Sequence, residues 1–223
     1  MGFRDELIRA ASSRPMRQSK LIRILASGRA PRPLLQNYAK QLYAGAFQFP
    51  LQLIKLLRIT PSETAKFRLM ENIMEESGAV MDINHGLRIF EQNRHTSWAE
   101  RFVVATGMSR SDCDEAVNNY RLEGFERRID EGDWLPAMAY LLVGIEGNIP
   151  QTYETVVDGL LKSGFDREEI IFFSGHIVAD AEHGEIGVNM IDEMTPSDKR
   201  QDVLDAVTEA ADHWWNLHHQ GAS

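Results

Sequence analysis

Apolar residues recur at three- and four-residue intervals through almost every stretch of this chain, and that spacing commits it to helices. Between Leu34 and Arg58, residues Leu35, Tyr38, Leu42, Phe49, Leu53 and Leu56 share one helical face. Pro50 falls inside this run. Because the apolar spacing resumes at once, it is expected to kink the helix rather than end it. No hairpin dipeptide stands between strand-like runs of alternating β-branched residues.

The remaining segments read the same way. An amphipathic stretch ends near Gly28. Thr60-Pro61-Ser62-Glu63 is a helix start, with proline early and an acid to meet the dipole, and that helix runs to about Ser77. Gly78–Asn84 is a break, followed by helices over His85–Asn93, Ser97–Thr106 and Ser111–Glu131. Asp133 caps a segment reading to about Gly147, Pro150 opens one that stops at Gly164, and Asp166 begins a long helix through Ile191. The last helix starts at Thr195-Pro196-Ser197-Asp198 and ends near His218. The fold class is therefore all-α, a single helical bundle over 1–223 in which residues 1–30 are an extension or first helix.

A chain of 223 residues can bury one full core. Its single cysteine, Cys113, rules out an intrachain disulfide and any cysteine-based zinc site. A formal net charge of −9 argues against nucleic acid as a partner, and the basic residues between Arg4 and Arg32 read as a solvated face. Met1–Glu6 lacks the apolar run of a signal peptide, and the longest apolar stretches, Leu51–Leu57 and Ala137–Ile145, are too short to cross a bilayer. A cytoplasmic protein without membrane or nucleic-acid partners is expected.

Three features carry chemistry. In a helix, His176, Asp180 and His183 stand at i, i+4 and i+7, so two imidazoles and a carboxylate stack along one stripe. Such a stripe suits a borderline transition metal, although an ordinary polar helix face has the same composition. Glu146 ends the otherwise apolar run Met138–Ile145, where a carboxylate is costly unless it is paired, meets a cation or reaches water beyond Gly147. Glu71, Glu75 and Glu76 precede the Gly78 break, and His85 follows it. Three acids and three histidines from three regions match the ligand inventory of a carboxylate-rich iron site. The Glu-x-x-His pairs of ferritin-like bundles are absent.

In order and spacing, Asn72–Gly78 with His85, Gly144–Gly147, Gly159–Gly164 and His176–His183 resemble the haem-oxygenase-like diiron oxidases and the wider TenA-like and PqqC-like set. The resemblance covers about residues 35–192. It implies a haem-oxygenase-like bundle of about seven to nine helices. It also implies one or two non-haem iron ions held by Glu76, His85, Glu146, His176, Asp180 and His183. The implied activity is that of an O2-using oxidase or oxygenase acting on a small organic molecule in an apolar pocket. The oligomeric state is left open by the sequence, with a homodimer as the expectation. The alternatives are a cofactor-independent PqqC- or TenA-like oxidase or hydrolase, and a non-catalytic ligand-binding protein.

Two departures bear on the ligands. Residues 32–62 contain no Asp or Glu, with Gln41 or Gln48 where a further carboxylate is usual. The spacing from Glu76 to His85 also differs from the commonest form, which leaves Glu75 as a rival to Glu76. Tyr153 and Asn148 are candidates to orient the imidazoles. His218 and His219 beside Trp214 and Trp215 read as an amphipathic C-terminal helix rather than a second metal or haem contact, and Cys113 as a bystander thiol.

Overall fold

A computed structural model describes residues 2–82, 84 and 86–220. In chain order the elements are α1 (Phe3–Ala11), α2 (Lys20–Ala26), α3 (Arg32–Ile59), α4 (Glu63–Glu76), β1 (Ala79–Asp82), β2 (Gly86–Ile89), α5 (His95–Ala105), α6 (Asp114–Asn119), α7 (Glu123–Glu131), α8 (Trp134–Met138), α9 (Ile149–Lys162), α10 (Ile171–Met194) and α11 (Arg200–Gln220). A π-helical stretch, Ala139–Ile145, and a 3-10 turn, Glu146–Asn148, link α8 to α9.

The chain packs as two compact units. One holds residues up to Ala30, Leu122–Gly164 and the chain from Phe173 onward. Its core is organised by α11, whose Val203, Ala206, Val207, Ala210, Ala211 and Trp214 are all buried at i, i+3, i+4, i+7, i+8 and i+11. That stripe packs most extensively on the π-helical stretch, where every residue from Ala139 to Ile145 is buried. The basic residues of the N-terminal segment are engaged in this unit: Arg4 donates to Asn189, Arg14 pairs with Asp212, and Arg17 with Glu154 at 2.8 Å.

The second unit holds Pro31–Arg121 and Phe165–Phe172. Here α3 is the central element, packed by α4, α5 and α6. Pro50 lies within α3 without ending it, as the spacing of the apolar residues predicts. Phe102 of α5 is fully buried, edge-on to Tyr38 at 6.4 Å and against Phe165 at 5.5 Å. The N-cap Ser62 accepts a hydrogen bond from the Ala65 amide at 3.3 Å, satisfying a donor that the first turn of α4 would otherwise leave exposed.

Three local expectations are corrected. In place of the helix expected over His85–Asn93 stand β2 and a 3-10 turn at Glu91–Asn93, and β1 lies in the expected break, the two strands forming an antiparallel hairpin that pairs Ala79 with Ile89 and Asp82 with Gly86. It is four residues per strand and turns without a strong turn dipeptide, so no composition signal announces it. The Ser111–Glu131 segment breaks at Tyr120, where Arg121 donates to the carbonyls of Asn118 and Tyr120 that a continuing helix would have bonded. The long helix begins at Ile171 rather than Asp166, because Asp166 and Glu169 exchange side-chain and backbone hydrogen bonds at 2.8 and 2.9 Å in a separate turn.

Candidate metal centre

Helix α10 supplies the stripe that its sequence spacing implies. His176 and Asp180 are buried, and His183, one turn further on, is half-buried. The nearer oxygen of Asp180, Oδ1, lies 3.7 Å from Nδ1 of His183.

Glu146 comes to this stripe from the turn after the π-helical stretch. One ligand atom from each of Glu146, Asp180 and His183 lies within 4.8 Å of the others. The approach depends on glycine. A Cβ on Gly187 would sit 3.0 Å from Leu142 Cβ, and one on Gly184 would sit 3.4 Å from Gly147 Cα. Gly187, on the same side of α10 as the ligands, thus lets the stretch ahead of Glu146 pack close to the helix, while at Gly184 a Cβ would make an ordinary contact. The π-helical stretch ahead of Glu146 has one residue more per turn than an α-helix, a distortion frequent at functional sites.

Asn148 locks this turn in place. Its side-chain amide donates to the carbonyls of Ala11 at 3.0 Å and Gly144 at 2.8 Å, and its oxygen accepts from Gln151 at 3.0 Å. These bonds use the whole side chain on the turn, so Asn148 does not orient an imidazole. Tyr153 does meet one: its buried ring lies edge-on to His176 at 6.3 Å and is itself packed by Phe173 at 5.1 Å and Trp214 at 6.4 Å.

The donor set fits a cation. Glu146 and Asp180 are almost wholly buried, at 2% and 4% exposure, and burying an ion costs roughly several kcal/mol unless it is compensated. Oδ2 of Asp180 is buried and makes no hydrogen bond among the described residues. With metal–ligand bonds of about 2.1 Å, atoms around one ion sit up to about 4.2 Å apart, so the observed separation closes onto an ion by small side-chain movements.

In the other unit, Glu76 is buried and its Oε1 lies 2.8 Å from Nδ1 of His95. Trp98 stacks on the His95 ring, centroids 4.6 Å apart. Glu75 is exposed, so burial separates it from Glu76. His85 lies outside the described residues. His95 was not among the residues singled out from the sequence. Its position as the first residue of α5, straight after an irregular segment, is the one local signal that could have drawn notice.

Of the two α3 glutamines singled out, Gln48 donates to the Val117 carbonyl at 3.0 Å, and Gln41 lines a polar cavity of about 360 Å³ with Lys40, Asp112 and Glu115. Cys113 is buried, and burial pushes its thiol above the ordinary range, as suits a bystander. The C-terminal aromatic residues are helical: Trp214 and His218 face inward, and Trp215 stacks on His219 at 5.0 Å.

The architecture is haem-oxygenase-like. Over 98% of the chain it superposes on a TenA homologue from Pseudomonas syringae pv. tomato with a TM-score of 0.75, at 16% identity and over 91% of that protein. A Shewanella denitrificans domain of unknown function with a haem-oxygenase-like fold gives 0.63 at 18% identity, covering 98% of this chain and 88% of that one. Residues 36–215 match the family described as iron-containing redox enzyme, and the chain belongs to that family. A curated relative, the 4-aminobenzoate synthase of Chlamydia muridarum (strain MoPn / Nigg), is 25% identical over 215 residues, 94% of this chain and 85% of that protein. No helix among the described residues is long and apolar enough to cross a membrane.

Proposed function

We propose that this chain is a non-haem iron oxidase or oxygenase that uses O2 to oxidise a small organic molecule. One observation carries the reading: two buried carboxylates and an imidazole, from two separate segments, converge within 4.8 Å, and Asp180 Oδ2 has no hydrogen bond to account for its burial. The iron-containing family supports the choice of metal, and the chlamydial relative is named for making a small aromatic acid, which supports small-molecule chemistry at such a site.

Glu146, Asp180 and His183 are the proposed ligands, with His176 extending the same stripe. Glu76 with His95 is a second buried carboxylate–imidazole pair, proposed for a further iron in place of the pair with His85. Iron, when bound, supplies the electrons for reducing O2. The protein's part is to hold anionic oxygens where positive charge must be balanced, and to keep imidazole nitrogens aimed. Tyr153 fixes the His176 ring from its edge, and the Asn148 bonds keep the Glu146 turn from drifting.

The test is iron content and oxygen uptake. Wild-type protein expressed with iron should retain it through purification, whereas Asp180→Asn and His183→Ala should lose most of it. Ferrous wild-type protein should consume O2 in an electrode, and Asp180→Asn and His183→Ala should not. Full iron retention by both variants would defeat the assignment.

A further inference from the structure

We propose that the polar cavity between α3 and α6 binds a small neutral polyhydroxylated molecule, of the size of a monosaccharide or a cyclitol. On α3, Lys40 and Gln41 are neighbours, with Gly45 one turn beyond Gln41. The other wall is built from the 3-10 turn Arg110–Cys113, which supplies Asp112, and from α6, where Glu115 and Asn119 share one face at i and i+4. Tyr120 follows the end of α6. At about 360 Å³ the cavity is at the small end of ligand pockets, which run from about 300 to 1,000 Å³. None of the candidate metal ligands lines it.

The walls are held in place from outside the cavity. Gln48, two turns along α3 from Gln41, ties that helix to α6 through the Val117 carbonyl at 3.0 Å. Tyr120 lies over α3 at Gly45, where a Cβ would stand 3.6 Å from the phenol oxygen. Burial pushes this phenol up to about 12, so it stays a neutral hydroxyl that donates and accepts. Oδ2 of Asp112 accepts from the Ser109 amide at 2.7 Å and from the Ser109 hydroxyl at 2.8 Å. Those bonds, with a lesser pull from Lys40, hold the Asp112 carboxyl below the ordinary carboxylate range and leave Oδ1 uncommitted among the described residues.

What the walls offer selects the ligand. Among the described residues, the Lys40 ammonium, the Gln41 and Asn119 amides, the Glu115 carboxylate and the Tyr120 hydroxyl make no hydrogen bond or ion pair with the protein, although they line one cavity. Convergent polar groups in a concavity are what orient a ligand. An anion drawn to Lys40 would meet two carboxylates, and a cation drawn to the carboxylates would meet Lys40. An apolar molecule would displace water from these groups and return no hydrogen bonds. Hydroxyl groups avoid both repulsions, and each one donates and accepts: it donates to Glu115 or Asp112 and accepts from Lys40 or an amide. Hydrogen bonds to such charged partners are the stronger kind.

The experiment is a proton–nitrogen correlation NMR titration of the full-length chain as purified, with myo-inositol and D-glucose, and with L-serine and inorganic phosphate as charged probes. At least one of the two polyols should give saturable shifts in the side-chain amide signals of Gln41 and Asn119, while L-serine and phosphate leave them in place. Lys40→Met and Glu115→Gln should each weaken the polyol by about tenfold, with unchanged helical circular dichroism. No saturable shift with either polyol would overturn the proposal. So would tighter binding of L-serine or phosphate, which would assign the cavity to a charged ligand, and so would polyol binding indifferent to both substitutions.

Discussion

Replacing Glu146 by glutamine should stabilise the metal-free protein while abolishing its response to iron, two effects of opposite sign from one atom exchange. The carboxylates of Glu146 and Asp180 lie within 4.8 Å of each other and are almost fully buried. Two unit charges at that distance repel by about 3 kcal/mol at an effective dielectric constant near 20. Small side-chain movements relieve part of this in the metal-free protein, so the expected gain is roughly 1–2 kcal/mol. For a chain of this size that is a rise of about 2–8 °C in melting temperature. The assay is calorimetry of chelator-treated wild type and Glu146→Gln, each repeated with added ferrous iron. Wild type should gain stability with iron, as any ligand bound only by the folded state confers, and the variant should not. A variant that melts below the metal-free wild type yet keeps the iron-dependent rise would refute the reasoning, because Glu146 would then be a structural hydrogen-bonding group.

The other predictions are briefer. Burial, opposed by the bond from the ring to the Trp214 carbonyl and helped by nearby His213, lowers the His218 pKa from 6.5 to about 4. The folded protein thus resists a proton that the unfolded chain accepts. The stabilisation is complete above pH 6.5 and is lost as pH falls toward 4, amounting to roughly 2 kcal/mol at pH 5 and about 3 kcal/mol in full. Urea midpoints at pH 7 and pH 5 should show a smaller drop for His218→Gln than for wild type; equal drops would contradict it. Ser62→Ala removes the cap of α4 and should cost about 1 kcal/mol in chemical denaturation, with iron binding kept. Phe102→Ala should cost roughly 3–5 kcal/mol, since a fully buried ring packed on Tyr38 and Phe165 leaves a cavity. Cys113 should react with a thiol reagent at neutral pH only after unfolding, because its thiol is buried and raised; prompt labelling of the native protein would count against this.

What the sequence determined by itself is the local geometry. A helix turns 100° per residue wherever it occurs, so the spacing of His176, Asp180 and His183 placed them on one stripe before any fold was known. Likewise, a run of apolar neighbours marked Glu146 as a carboxylate needing compensation. The tertiary structure decided which distant groups share a site. Glu146 reaches Asp180 because Gly187 leaves room on α10 and a π-helical turn redirects the chain, and neither effect has a periodicity to read. His95 stands beside Glu76 because a short hairpin, read from the sequence as a break and then a helix, reverses the chain between them. The exposed stripe of α4 is similar: helical spacing shows that Phe67, Met70 and Met74 lie together, but only packing shows that the opposite face of α4 is the one its own chain buries. Periodicity records how a segment turns about its own axis, whereas contact between segments depends on chain reversals and close approaches that single residues, often glycines, control.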